Sequence, residues 1–178
     1  MFNLFGKKSG KIKIADIIWT SEEAKWNGIV EEWKKYPSLQ IVCWFESTQQ
    51  VLEERFAREI TSNNFIYTVH HAHASQLKGK PLIFAEHYPL LKKEEELFGQ
   101  WQLEKVTIHS ALSEPLFLHF GGEKILQMMR QMGMREEESI KNELISKAIS
   151  GAQEKIEKKV TTEMLAHSQK DWLEKNLT

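Results

Sequence analysis

Gln40-Ile41-Val42-Cys43-Trp44-Phe45 runs directly into Glu46-Ser47-Thr48-Gln49-Gln50-Val51-Leu52-Glu53-Glu54-Arg55-Phe56, and this pair of patterns decides the fold. The first six residues are apolar almost throughout, as a central strand covered on both faces requires. In the second stretch Val51, Leu52 and Phe56, with Ile60 beyond them, recur at helical spacing and predict a helix with one apolar face. Ser47 and Gln50 have capping-box spacing at its start. A strand covered on both sides, followed by a one-faced helix, is the repeating unit of a parallel α/β sheet.

The alternation continues outward. Ile14–Trp19 (IADIIW) reads as a strand, and Thr20 with Glu23 gives a second capping-box spacing. Trp26, Ile29, Val30 and Trp33 then mark one buried helical face, which Tyr36-Pro37-Ser38 ends. Ser62-Asn63-Asn64 predicts a turn, Phe65–His70 (FIYTVH) a third strand, and Pro81–Ala85 (PLIFA) a fourth after the polar connection Ser75–Lys80. A helix at about residues 89–101 carries Leu90, Leu91, Leu97 and Phe98, and Lys105–His109 (KVTIH) is the fifth strand. Right-handed crossovers between such units predict a three-layer α/β fold with a parallel sheet of about five strands.

Beyond Leu112 the pattern becomes helical. Ser113 is placed to cap a short helix with Glu114 and Pro115 in its first turn, and Gly121-Gly122 breaks it. Glu123–Met132 forms the next helix, stopped by Gly133. From about Ser139 one long helix is expected to run towards the end, with Ile145, Ala148, Ile149, Ala152, Ile156 and Val160 on a single stripe. A helix of that length docks along the sheet layer, pairs with another chain, or frays. The chain thus divides into an N-terminal arm (1–11), an α/β domain (12–134) and a C-terminal helical extension (135–178).

The 178 residues suit one domain, and 24 basic against 25 acidic side chains leave a net charge of −1. The basic pairs Lys7-Lys8 and Lys158-Lys159 are short, so the sequence offers no basic stripe for nucleic acid. No apolar run is long enough to span a membrane, and no signal peptide is read at the N-terminus. A lone cysteine, Cys43, cannot form an internal disulfide, which points to the cytoplasm.

Chemistry-bearing motifs are few. The nearest approach to a phosphate-binding loop, Gly6-Lys7-Lys8-Ser9-Gly10-Lys11-Ile12, is one residue short and lacks the hydroxyl that holds magnesium. No Gly-x-Gly-x-x-Gly occurs. His70, His71 and His73, with Glu86-His87 and His109, fall at predicted strand ends and could converge on one rim of the sheet. His71, His73, Glu86, His87 and His109 are therefore the candidate metal ligands or acid–base groups, against the plainer reading of strand-end histidines that cap carbonyls or face water. Cys43 reads as a buried structural thiol. Met128, Met129, Met132 and Met134 form a soft apolar surface, either core or a partner-facing groove.

The stretch from Lys105 to Val160 resembles the SecA preprotein-translocase ATPases. The likeness rests on Glu114-Pro115-Leu116, Phe120-Gly121-Gly122-Glu123-Lys124-Ile125 and Met128-Met129-Arg130-Gln131-Met132-Gly133-Met134. It continues through the acidic connector Glu136-Glu137-Glu138-Ser139-Ile140 and the helix Ser146-Lys147-Ala148-Ile149-Ser150-Gly151-Ala152-Gln153-Glu154-Lys155-Ile156-Glu157, where the family has Ala-Gln-(Arg/Lys)-Lys-Val-Glu. The resemblance implies that residues 12–112 correspond to the second RecA-like motor lobe and the long helix to the start of the helical scaffold. Gln40–Glu53 is a loose match to that lobe's strand, turn and helix.

The departures bear on function. A chain of this length does not contain the family's first lobe with its phosphate loop. Phe98-Gly99-Gln100-Trp101-Gln102-Leu103-Glu104 has no arginine where the family's finger motif stands, and Glu86-His87-Tyr88-Pro89 replaces its Gly-Arg-Gly-Thr-Asp type motif. After Val160 the Leu-x-Tyr-Asp-Asp continuation is missing. The resemblance therefore implies a degenerate, stand-alone lobe with no cofactor, acting by contact with a protein partner; separately, the long terminal helix offers a surface through which a homo-oligomer could form. Two alternatives stand beside it: a small enzyme or metal-binding protein using the histidine rim, and a nucleotide-sensing lobe completed by another chain.

Overall fold

A computed structural model describes residues 12–58, 60, 64–131 and 133–177. The expected arm, the near-miss loop Gly6–Ile12 up to Lys11, residues Ser62 and Asn63 of the expected turn, and Met132 lie outside the described residues. Five strands are parallel: β1 (Lys13–Trp19), β2 (Gln40–Cys43), β3 (Ile66–Thr68), β4 (Leu82–Phe84) and β5 (Lys105–Ala111). Each falls within the stretch expected from its apolar pattern or a residue or two beyond it. A short sixth strand, β6 (Ser139–Ile140), was not expected; it pairs antiparallel with Ile18 and Trp19 and covers the open edge of β1. The strand order is β3-β2-β4-β5-β1-β6.

Helices fill both faces, so strand side chains alternate between two apolar layers. On one face α1 (Glu22–Lys35) and α2 (Glu46–Phe56) bring Trp26, Ile29, Leu52 and Phe56 against Ile41, Cys43, Ile66 and Ile83. On the other lie α3 (Ala74–Leu77), α4 (Leu91–Gln100), α5 (Pro115–His119), α7 (Glu143–Glu157) and α8 (Gln169–Asn176), packed on Ile18, Val42, Phe84, Val106 and Ile108. The helix α6 (Gly122–Gln131) is largely exposed. The chain moves from β1 to β2 to β3 in one direction and returns through β4 and β5. Right-handed crossovers then oblige α1 and α2 to one face and α3 and α4 to the other.

Several local expectations are corrected. The cap of α1 is Ser21, whose hydroxyl accepts from the Ala24 N–H, while the Thr20 hydroxyl donates to the Glu136 carbonyl. The start of α2 has no side-chain cap from Ser47, which lies inside the helix. Ser113 does not cap α5, whose N-cap is Glu114; its hydroxyl instead accepts from the Glu22 N–H at the start of α1. The single long C-terminal helix is absent: α7 ends at Glu157, and eleven residues intervene before α8, which Ser168 caps through the Asp171 N–H. The break has a tertiary cause. Val160 packs on the core, and Glu163 accepts from the Tyr88 hydroxyl and the Trp172 indole, so the chain turns back and buries Trp172 completely.

Among the described residues no helix is long and apolar enough to cross a membrane. Gly28 of α1 admits the Trp19 ring so closely that a Cβ there would lie 2.2 Å from it.

Candidate functional site

In an open parallel sheet a crevice forms at the C-terminal rim between neighbouring strands whose following helices go to opposite faces. Two such pairs exist here, β1 beside β5 and β2 beside β4. The ends of these strands meet in a cavity of about 200 Å³ walled by Lys25 and Trp26 of α1, Thr48 of α2, Glu86 after β4 and Glu114 before α5.

Lys25 is only 1% exposed. Its ammonium pairs with Glu114 Oε1, donates to the Ala85 carbonyl at 2.8 Å, and stands 3.7 Å from the centre of the Trp26 ring. Burial raises the Glu114 carboxyl against the pull of Lys25, and Glu114 Oε2 has no hydrogen-bond partner among the described residues. Glu86 anchors the turn from β2 into α2. Its Oε1 accepts from the Trp44 and Phe45 N–H groups at 3.0 and 3.1 Å, and its Oε2 accepts from the Thr48 hydroxyl. Burial pushes Glu86 up to about 7, although Lys25 and the Thr48 bond favour its charge.

The sign of the resulting pH dependence follows from proton uptake. Glu86 titrates near 7 in the fold and near 4.5 when free, so between those values the folded chain keeps a proton that the unfolded chain releases. Stability falls as pH rises through that window, by about 3 kcal/mol for a shift of this size. Glu86→Gln keeps an oxygen for the Trp44 and Phe45 donors and removes the titration. Urea denaturation at pH 5 and pH 8 is expected to show a correspondingly flatter dependence in the variant; an unchanged difference between the two pH values would contradict it.

A second buried polar cluster lies behind the crevice. His87 bridges Asp16 of β1 and Glu94 of α4, with Nε2 2.9 Å from Asp16 Oδ1 and Nδ1 3.0 Å from Glu94 Oε1. Burial works against its charge, but the carboxylates of Glu94 and Asp16 outweigh it and hold the imidazolium up to about 10. Burial likewise opposes ionisation of Asp16, yet the bond and charge of His87 bring it below the usual range. Gln153 of α7 donates to Glu94 Oε2 and to the Tyr88 carbonyl, tying the C-terminal third to the sheet.

The segment leading into α8 lies across the crevice. Gln169 accepts from the Leu116 N–H at 2.8 Å and donates to the His87 carbonyl, and the His167 carbonyl accepts from the Ser47 N–H. One free donor at the start of each of α5 and α2, the Leu116 and Ser47 N–H groups, is thus engaged by the chain itself.

The histidines do not converge. His70, His71 and His73 are exposed, whereas His87 and His109 are buried on opposite faces of the sheet. His109 lies beneath α1, where Trp19 Nε1 donates to its Nδ1 and Glu32 faces its Nε2; burial lowers it despite Glu32. Among the described residues no three histidine, cysteine or acidic side chains are arranged to hold a metal ion. Cys43 is buried in β2, and burial raises its thiol well above the usual range. Met128 is 54% exposed, while Met129 and Met134 are half-buried and Met129 packs against the core. Of the crevice residues, sequence reasoning singled out Glu86 as a candidate ligand and quoted Glu114 only within the SecA-like Glu114-Pro115-Leu116; Lys25 and Thr48 were not singled out, and the one signal for Lys25 was charge on an otherwise apolar helix face.

No protein-family model matches the chain. Among curated proteins it is similar to protein translocase subunit SecA of Clostridium beijerinckii, 33% identical over 86 residues, which cover 46% of this chain and 10% of that one. SecA of Acinetobacter baumannii is 29% identical over 91 residues, 49% of this chain and 10% of its own. SecA of Psychrobacter cryohalolentis is 40% identical over 47 residues, 26% of this chain and 5% of its own. The chain spans at most about a tenth of the length of these relatives. The matches support a SecA-related region within an α/β fold.

Proposed function

We propose that this chain is a SecA-like motor lobe that has lost ATP hydrolysis and serves protein translocation as an accessory module, acting through contact with a protein partner. The observation that carries the reading is the chemistry of the rim crevice. A phosphate there would face the buried carboxylates of Glu86 and Glu114, and the one buried ammonium, Lys25, is already paired with Glu114. Bringing further negative charge into so dry a site is strongly opposed. The helix-start donors of Ser47 and Leu116 are engaged by His167 and Gln169.

The partner face in this reading is the apolar groove between α5–α6 and α7. It has a volume of about 360 Å³, is walled by Leu116, Phe117, Ile125, Ile145 and Ile149, and has Met128 exposed on α6 beside Ile125. Contiguous exposed apolar surface of this kind marks interaction sites.

The test is ATP turnover by the purified chain with magnesium. Turnover is expected to remain at background. Hydrolysis above background that disappears in Glu86→Gln, with the fold intact by circular dichroism, would overturn the proposal.

A further inference from the structure

The opposite, N-terminal rim of the sheet holds a larger pocket, of about 510 Å³, between the α3–β4 loop and the α4–β5 loop. Lys78, Lys80 and Lys105 line it, and Lys13 is the direct cross-strand neighbour of Lys105. None of these four lysines takes part in an ion pair among the described residues. Glu104 is the adjoining acidic residue in the chain, and it does not line the pocket. Gln102 and Ser75 add neutral donors, and the indole of Trp101, seated on Phe84 with 6.2 Å between ring centres, forms the apolar wall.

The backbone supplies an independent sign of function. Gln102 has φ of 55° and closes α4 through two bonds, Gln102 N–H to the Gly99 carbonyl and Leu103 N–H to the Phe98 carbonyl. That geometry is the left-handed helix end that glycine normally fills. At the other described positions of positive φ, 79, 121 and 133, this chain does place glycine. Only at the pocket does it keep a side chain in the strained conformation, and that side chain is a hydrogen-bonding amide. Strain retained at one cleft residue is characteristic of ligand sites.

We propose that this pocket binds a phosphate ligand carrying at least two negative charges. Three lysines lining one pocket repel one another, and a singly charged anion offsets too little of that repulsion. Lysines present compact point charges suited to tetrahedral oxyanions, whereas a planar carboxylate is better met by the fork of arginine, which the pocket lacks. The volume exceeds that of one phosphate and leaves room for a second phosphate or for an organic group on Trp101. The site lies at the far rim from the crevice and does not depend on how that crevice functions.

The probe is sodium tripolyphosphate, titrated calorimetrically into the whole chain at low ionic strength. Binding is expected, weakening steeply with salt and by at least about tenfold in Lys80→Gln/Lys105→Gln, whose exposed unpaired side chains leave the fold undisturbed. Gln102→Gly relieves the backbone and raises Tm by about 2–4 °C, while binding weakens several-fold. No binding at millimolar tripolyphosphate, or equal binding by the double variant, would overturn the site. A Gln102→Gly variant with higher Tm and unchanged affinity would remove Gln102 from it. Sedimentation at pH 8 with vesicles containing phosphatidic acid, whose phosphomonoester headgroup can carry two negative charges, separates the sources. Vesicle binding that tripolyphosphate displaces identifies a lipid headgroup, absence of vesicle binding identifies a free oligophosphate, and vesicle binding that tripolyphosphate leaves intact counts against the pocket.

Discussion

A His87→Leu variant is expected to unfold with about 3–5 kcal/mol less free energy than the parent chain at pH 7, the cost of leaving buried charges without their partner. Leucine fills much of the space of the imidazole, so the loss comes from electrostatics and not from a cavity. His87 is 2% exposed and Glu94 is fully buried, and each ring nitrogen of His87 meets one carboxylate. The pH dependence distinguishes this origin from simple misfit. The folded imidazolium titrates near 10 against 6.5 when free, so its stabilisation is complete below about pH 6.5 and disappears as pH climbs through 10. In the variant Asp16 loses the partner that keeps it ionised and takes up a proton more readily, so the deficit should shrink as the pH is lowered towards 5. Urea denaturation across this range tests both statements. A loss below about 1 kcal/mol at pH 7 would mean that water reaches Asp16 and Glu94.

The second large effect concerns α8. Trp172 is fully buried against Tyr88, with ring centres 5.9 Å apart, and its indole N–H donates to Glu163 at 3.0 Å. Removing so large a side chain costs about 3–5 kcal/mol where the structure cannot collapse around the void. In Trp172→Ala the alternative to a void is release of the whole segment, which limits the global loss to the free energy of docking α8. The two outcomes differ at the rim. Release frees the Leu116 and Ser47 amides from Gln169 and His167, and hydrogen exchange at both should accelerate together. Full protection at Leu116, with the stability loss retained, would place α8 still in its seat above an empty cavity.

The strand–helix alternation was legible because it is written in neighbouring residues. Gln40–Phe45 was expected as one strand, and β2 occupies Gln40–Cys43. It stops there because the Trp44 and Phe45 N–H groups turn to the Glu86 carboxylate in place of an adjacent strand. The capping boxes failed for a related reason. A spacing of three residues permits the reciprocal bonds, but at α2 the helix starts earlier, with Phe45 as N-cap, and the Ser47 N–H is taken by the His167 carbonyl, while at α1 the Glu136 carbonyl draws away Thr20. The histidine rim was misjudged on direction. His87 and His109 both sit near strand ends, yet they project to opposite faces, one toward Glu94 and the other toward Glu32.

By itself, the sequence determined that this chain builds a two-sided, mostly parallel α/β sheet. Period-two and helical apolar spacings are local properties that any arrangement of the units must bury. Only the tertiary structure decided which strands became neighbours, and strand order sets every long-range polar contact. Lys25 meets Glu114, His87 joins Asp16 to Glu94, and Gln169 closes the crevice because the order β3-β2-β4-β5-β1 brings four strand ends together. The same order gathers Lys13, Lys78, Lys80 and Lys105, scattered along a chain of nearly zero net charge, at the opposite rim. The C-terminal helix was broken on the same grounds: an apolar stripe favours a continuous helix, but burying Trp172 on the sheet returned more free energy than extending α7 into water.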